Sequence, residues 1–189
     1  MPFSLASIDV LLIPGRGNSN EFHWMSAWAA AIPNSSRVLQ AEWDAPQPGD
    51  WIGRLDAAIR TTPRRCVLVG HSLAVATIVK WADAAPSAAI AKVAGALLVS
   101  PTNVEDPDPS FDTVRPFAPM PMNRLPFPTM VLASRDDPRV SFARAGECAR
   151  AWGAELVDVG ELGHIGNLQR LGIWPEGLLH LGRLFDRIG

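Results

Sequence analysis

The stretch C-V-L-V-G-H-S-L-A, residues 66–74, decides the fold that the chain is expected to adopt. Its first residues are apolar or small throughout rather than alternating, as in strands that a parallel sheet buries on both faces. A serine follows two positions after Gly70, and a helical pattern begins directly after it. The stretch therefore predicts a buried strand, Cys66–Gly70, that turns sharply into a helix at Ser72.

Similar short apolar runs recur on both sides of this stretch and alternate with helical patterns. The predicted strands are Ile8–Ile13, Arg37–Ala41, Cys66–Gly70, Val93–Ser100, Thr129–Ser134 and Glu155–Val159, and the predicted helices are Glu21–Ala31, Asp50–Thr61, Leu73–Ala85, Ser141–Trp152 and Glu176–Arg187. This alternation predicts an α/β fold, a doubly wound parallel sheet of about six strands with helices on both faces. Without an internal repeat, residues 1–189 are expected to form a single domain.

Charge and composition exclude several classes of function. The formal net charge is −2 and the arginines are scattered, so neither nucleic acid nor an anionic membrane is an expected partner. The apolar run Val10–Ile13 is too short for a signal peptide or a membrane span. Cys66 and Cys148 have no metal-ligand spacing, so no metal is expected, and free thiols favour a cytoplasmic location.

A proline-rich segment, residues 101–128, interrupts the regular pattern. It contains eight prolines, which exclude a regular helix or a central strand. Its apolar side chains, among them Phe111 and Phe117, predict a packed segment. Two roles remain open: a cap over a substrate pocket, or a structural crossover without substrate contact.

Ser72 is the candidate nucleophile. A serine on a sharp strand-to-helix turn, with small residues two positions before and after it, is the nucleophile elbow, usually G-x-S-x-G. Here Gly70 and Ala74 take those positions, and the following helix directs its positive end at the site. The motif alone is weak, because a serine before a helix can also be a simple N-cap.

A serine nucleophile needs a base, and the base needs an acid that orients it. Downstream of Ser72, Asp136 and Asp137 follow one predicted strand, and His164 follows the last one. This is the order Ser, acid, His, and all three groups fall at the carboxyl ends of strands, where such sheets bind ligands. Spacing alone does not choose between the two aspartates, but Pro138 holds Asp137 extended.

The other histidines are weaker candidates for the base. His71 is next to Ser72, so its side chain is expected to point away from the reaction side. His180 lies in the last helical pattern, where a surface or packing role is expected. His23 is a candidate pocket residue.

Two backbone amides are candidates for an oxyanion hole. One is that of Leu73, the residue after the nucleophile, and the other is that of Arg16, between Gly15 and Gly17 in the loop after the first strand. The same loop completes neither G-x-x-x-x-G-K-[S/T] nor G-x-G-x-x-G, so no bound nucleotide is expected. No cofactor of another kind is expected either.

Most of the chain resembles the serine hydrolases related to retinoblastoma-binding protein 9, a small branch of the α/β-hydrolase superfamily. The matching segments are P-G-R-G-N-S at 14–19, H-W at 23–24, G-H-S-L-A at 70–74, L-P-F-P-T-M-V-L-A-S-R-D-D-P-R-V-S-F-A-R-A at 125–145, A-W-G-A-E-L-V-D-V-G-E-L-G-H-I-G at 151–166 and W-P-E-G at 174–177. The resemblance implies a sheet without the two leading strands of larger relatives, and esterase-like or peptidase-like activity. It also implies that the acid is Asp137, directly before the proline. The motif L-x-C-x-E is absent, so no retinoblastoma-type partner is expected.

The sequence therefore predicts a serine hydrolase for a small-molecule acyl ester, thioester or amide. The expected pocket is small and apolar, with Gly15, His23, Trp24 and Phe117 as candidate lining residues. Two alternatives remain: an idle binding module that kept the fold, and an acyltransferase with an acceptor other than water.

Overall fold

A computed structural model describes residues 7–188 of the chain. Six strands form one parallel sheet in the order β2-β1-β3-β4-β5-β6. The strands are β1 (Ile8–Ile13), β2 (Ser35–Arg37), β3 (Arg65–His71), β4 (Val93–Val99), β5 (Thr129–Ala133) and β6 (Glu155–Asp158), and the helices are α1 (Trp24–Ala31), α2 (Pro48–Thr61), α3 (Leu73–Ala84), α4 (Ser87–Ile90), α5 (Phe142–Trp152) and α6 (Pro175–Ile188). The predicted fold class is confirmed.

Alternate side chains of the central strands enter two separate cores. On one face, Leu68 packs with residues of α2, α3 and α5; on the other, Val67 and Val69 pack with α1 and α6. Strands β1, β3, β4 and β5 are buried almost throughout, as their continuous apolar runs predict. No helix among residues 7–188 combines the length and the apolar character that crossing a bilayer requires.

The edge strand differs from its prediction. It covers Ser35–Arg37 rather than Arg37–Ala41, and it pairs with β1 through registers such as Val10 with Ser35. An edge strand forms hydrogen bonds with one neighbouring strand only. Its end residues are therefore determined by the pairing with that neighbour and not by where β-branched residues occur. The first helix starts at Trp24, three residues later than predicted, because His23 caps it.

The proline-rich segment is packed against the core. Two short 3₁₀ turns, Pro109–Phe111 and Arg115–Phe117, interrupt it. Phe117 is fully buried and meets the ring of Trp51 edge to face, with 5.9 Å between the centroids. The prediction that Phe117 lines the substrate pocket is therefore wrong: its ring lies in the core between the segment and α2.

Candidate active site

The turn between β3 and α3 presents Ser72 at the carboxyl edge of the sheet. Ser72 adopts φ 60° and ψ −123°, a strained conformation for a residue with a side chain. Its backbone N–H donates to the carbonyl of Val99, 2.9 Å away, which ties the turn to β4. A Cβ at Gly70 would lie 2.5 Å from Ile78 Cδ1, so a side chain there would force Ile78 to move within α3.

A hydrogen-bonded chain joins three of the predicted residues. The Nε2 atom of His164 lies 2.8 Å from Ser72 Oγ, and its Nδ1 atom lies 2.9 and 3.0 Å from the two carboxylate oxygens of Asp137. The Asp137 side chain is fully buried, whereas that of His164 is 22% exposed. Three loops, after β3, β5 and β6, thus bring the three groups together.

The neighbouring Asp136 has a different position. Its Oδ1 accepts hydrogen bonds from the Ser134 hydroxyl at 2.6 Å and from the backbone N–H of Gly163 at 2.7 Å. The hydrogen bond from Ser134 lowers the pKa of Asp136 most, and the hydrogen bond from Gly163 lowers it further. This carboxylate therefore fastens the loop that carries His164 and does not contact the imidazole ring.

Two ring N–H groups hold the same loop from beneath. His71 Nε2 donates to the backbone carbonyl of His164 at 2.8 Å, and Trp24 Nε1 donates to that of Ile165 at 2.8 Å. The His71 and His164 rings are 5.0 Å apart, so the expectation that His71 points away from the reaction side is wrong. Trp24 is fully buried below the loop, so its predicted place in the pocket lining is wrong too.

The other two histidines differ in their surroundings. His23 accepts the backbone N–H of Met25 on Nδ1 and lines the cavity beside Ser72. Burial, Arg37 and His164 lower the pKa of His23 to about 4, so its ring is neutral at physiological pH. Burial also lowers the pKa of His71, well below its usual value. His180 is half-buried on α6 and bonds with Arg183.

The loop after β1 approaches the serine closely. A Cβ at Gly15 would lie 2.7 Å from Ser72 Cβ and 2.8 Å from the carbonyl oxygen of His71. Only glycine lets the backbone come this near, and Arg16 is the next residue of this loop. The Arg16 side chain is exposed and lines the same cavity, and Leu73 is the first residue of α3.

One contact of the serine was not anticipated from the sequence. The hydroxyl of Thr102 lies 2.9 Å from Ser72 Oγ, and Thr102 is 2% exposed. The residue follows β4 within S-P-T-N, which has no motif character. Only its position next to β3 in the sheet could have suggested it.

The cavity at this edge has a volume of about 450 Å³. Its wall consists of Arg16, Asn18, His23, His71, Ser72, Asp136, Pro138, Gly163, His164 and residues 166–169. Among the described residues, no group of three or more His, Cys, Asp and Glu side chains could hold a metal ion. The cavity is open, and polar side chains share its lining with apolar surface, so it is less apolar than the predicted pocket.

Comparison with known families identifies the chain. A family model described as serine hydrolase matches residues 10–183. The chain belongs to the serine hydrolase family. The resemblance to the relatives of retinoblastoma-binding protein 9, which is in that family, is thereby confirmed, and the protein is an enzyme, a serine hydrolase. A comparison with curated protein sequences gives no match.

Solved structures of hydrolases share the fold of this serine hydrolase. A protein described as a YdeN-like hydrolase of Pectobacterium atrosepticum is 29% identical with a TM-score of 0.85, over 97% of this chain and 93% of that one. The ydeN gene product of B. subtilis is 21% identical with a TM-score of 0.76, over 94% and 98%. Esterase 2 of Thermogutta terrifontis is 15% identical with a TM-score of 0.69, over 100% and 87%. At these lower identities the last two likenesses concern the fold alone.

Proposed function

We propose that this serine hydrolase cleaves a small acyl ester, thioester or amide, with Ser72 as nucleophile, His164 as base and Asp137 as orienting acid. The observation that carries the proposal is the continuous hydrogen-bonded chain from the Asp137 carboxylate through His164 to Ser72 Oγ. A histidine fixed by a carboxylate on one nitrogen and bonded to a serine on the other is the arrangement that activates serine for acyl transfer.

Acylation follows from the proton positions in this chain. The carboxylate of Asp137 can only accept, so Nδ1 of His164 carries the hydrogen and Nε2 accepts that of Ser72. Ser72 Oγ attacks the acyl carbon while its proton moves to Nε2, and the carbonyl oxygen becomes an oxyanion. The backbone N–H groups of Leu73 and Arg16 are the proposed donors to it.

Collapse of the tetrahedral intermediate breaks the bond to the leaving group, which takes the proton from His164 Nε2. Water then attacks the acyl-enzyme and gives a proton to the same nitrogen. The second collapse breaks the bond to Ser72 Oγ, which regains that proton. The net reaction adds one water across the acyl bond, and the enzyme returns to its starting state.

The surroundings of the site support a small-molecule acyl substrate. The cavity of about 450 Å³ lies in the size range of small-molecule sites and is lined by both catalytic candidates, Ser72 and His164. A cytoplasmic location belongs to the same proposal. It rests on two free cysteines, Cys66 and Cys148, which are both buried and need no oxidising compartment.

Labelling with a fluorophosphonate tests the nucleophile. We expect the wild type to label covalently and to hydrolyse p-nitrophenyl esters, and Ser72→Ala to do neither while it still folds cooperatively. Ser36→Ala, at an exposed serine of β2, is the control and should behave as wild type. A wild type that neither labels nor hydrolyses any ester would favour an idle binding module. Faster product release with an added alcohol, and formation of the transferred ester, would favour an acyltransferase.

A further inference from the structure

The hydroxyl of Thr102 is a second hydrogen-bond partner of the reacting oxygen, Ser72 Oγ, beside His164. The Thr102 hydroxyl lies 2.9 Å from Ser72 Oγ, and the same Ser72 Oγ lies 2.8 Å from His164 Nε2. The side chain is buried, at 2% exposure, and does not belong to the wall of the open cavity. What this buried hydroxyl does to Ser72 Oγ depends on which of the two hydroxyl groups donates the hydrogen bond.

The direction of this hydrogen bond follows from the rest of the chain. Ser72 has one hydroxyl proton, and it points to Nε2 of His164, because Nδ1 of that ring donates to Asp137. Towards Thr102, Ser72 Oγ can therefore only accept a hydrogen bond. The Thr102 hydroxyl is therefore the donor.

The backbone around Thr102 is fixed on both sides. The N–H of Ser100 donates to Leu132 of β5 at 2.9 Å, and the N–H of Asn103 donates to Arg139 at 3.0 Å. Arg139 lies two residues after Asp137, so the loop that carries Thr102 is bound to the loop that carries the acid. The hydroxyl is thus held in place before a substrate arrives.

We propose that Thr102 is a further catalytic residue, whose hydroxyl orients Ser72 Oγ and stabilises the negative charge that it gains during attack. This proposal rests on the proposed function. As the serine proton moves to His164, Oγ becomes a stronger acceptor, and a hydrogen bond to a charged acceptor is stronger than one to a neutral acceptor. The bond weakens again in the acyl-enzyme, where Oγ is an ester oxygen. It therefore favours the transition state over both flanking states.

Two matched variants separate the hydroxyl from the rest of the side chain. Thr102→Val keeps the shape and removes the donor, whereas Thr102→Ser keeps the donor and removes the methyl group. We expect Thr102→Val to lower both kcat/KM for an ester and the rate constant of fluorophosphonate labelling by about 10- to 100-fold, the effect of one hydrogen bond to a charged group. Thr102→Ser should stay within about threefold of wild type. Thr102→Ala gives the same comparison if valine is not accommodated.

The outcomes are distinct from those of the nucleophile test. Wild-type rates in Thr102→Val, or equal losses in the valine and serine variants, would overturn the role of Thr102 and leave Ser72 as nucleophile. A wild type that neither labels nor hydrolyses would overturn both proposals. Thermal unfolding adds a measurement without substrate. Because the bond joins two side chains, Thr102→Val and Ser72→Ala should change the melting temperature non-additively, and additive changes would count against the bond.

Discussion

Asp136 and Asp137 leave the same strand end and serve two different partners in one loop. Asp137 accepts from the imidazole of His164, whereas Asp136 accepts from the backbone N–H of Gly163, the residue before that histidine. The Asp137 carboxylate thus fixes the imidazole ring of the base, and the Asp136 carboxylate fixes the loop that carries it. Asp136 lies in the turn after β5 and Asp137 follows it, so the two side chains reach different groups.

The two aspartates are expected to differ sharply on mutation. Asp137→Asn keeps the shape but favours the wrong tautomer of His164, and losses of up to roughly 10⁴-fold in kcat are known for this change in a protease. Asp136→Asn keeps an oxygen that can accept from Ser134 and Gly163, so its kcat should stay near that of wild type. Both are measured on one ester. The reverse ranking would assign the acid to Asp136.

A methyl group at Gly15 should block the site. The added Cβ would approach Ser72 Cβ at 2.7 Å and a backbone oxygen at 2.8 Å, so the oxyanion loop must move away. A displacement of this size is expected to lower kcat by about 100-fold or more. Gly49→Ala, which meets nothing within 4 Å in α2, is the control. Wild-type turnover in Gly15→Ala would show that the loop does not take part.

Phe117 and Leu168 should show opposite effects. Phe117 is fully buried, so Phe117→Ala should cost about 3–5 kcal/mol of unfolding free energy without changing acyl-chain preference. Leu168 lines the cavity and is 91% exposed, so Leu168→Ala should leave stability within about 0.5 kcal/mol and change ester preference. Urea denaturation and a chain-length panel of esters measure the two effects. A change of chain-length preference in Phe117→Ala would restore the cap hypothesis.

His23 should make the fold sensitive to acid. Its pKa falls from 6.5 to about 4 on folding, so the unfolded chain binds the proton more tightly between these values. The free energy of unfolding is therefore unaffected by protonation of His23 above pH 6.5 and decreases as the pH falls towards 4. The total loss is of the order of 3 kcal/mol. His23→Asn keeps an N-cap acceptor for Met25 and should lose less stability over this range. Parallel pH profiles of wild type and variant would contradict this assignment.

Most of the fold was predictable because burial leaves a clear mark on the sequence. The central strands are apolar on both faces, so β1, β3, β4 and β5 were located within about one residue of their ends. The predicted position of the edge strand β2 was wrong by several residues, because a strand with one neighbour has no comparable apolar pattern. The short helix α4 was missed because one turn of small residues shows no periodicity.

The candidate site was predictable where chemistry and chain order restrict the choice. A nucleophile, an acid and a base must follow three strand ends, and Ser72, Asp137 and His164 are close enough in the structure to form a chain. Aromatic residues carry no such restriction. Trp24 and Phe117 were expected in the pocket, but their large apolar area is buried in the core. The approach of Thr102 depends on strand order alone.

The loop that carries His164 contains only one short 3₁₀ turn, Asn167–Gln169, yet four contacts anchor it. Asp136, the Ser134 hydroxyl, His71 and Trp24 hold its backbone groups. The amide hydrogens of Leu162 and Gly163 are both taken by side chains. Opening the loop would break these bonds together, so it forms one cooperative unit with the sheet. These two amides should thus exchange with solvent much more slowly than unbonded loop amides, and the anchored loop holds the base in its position beside Ser72.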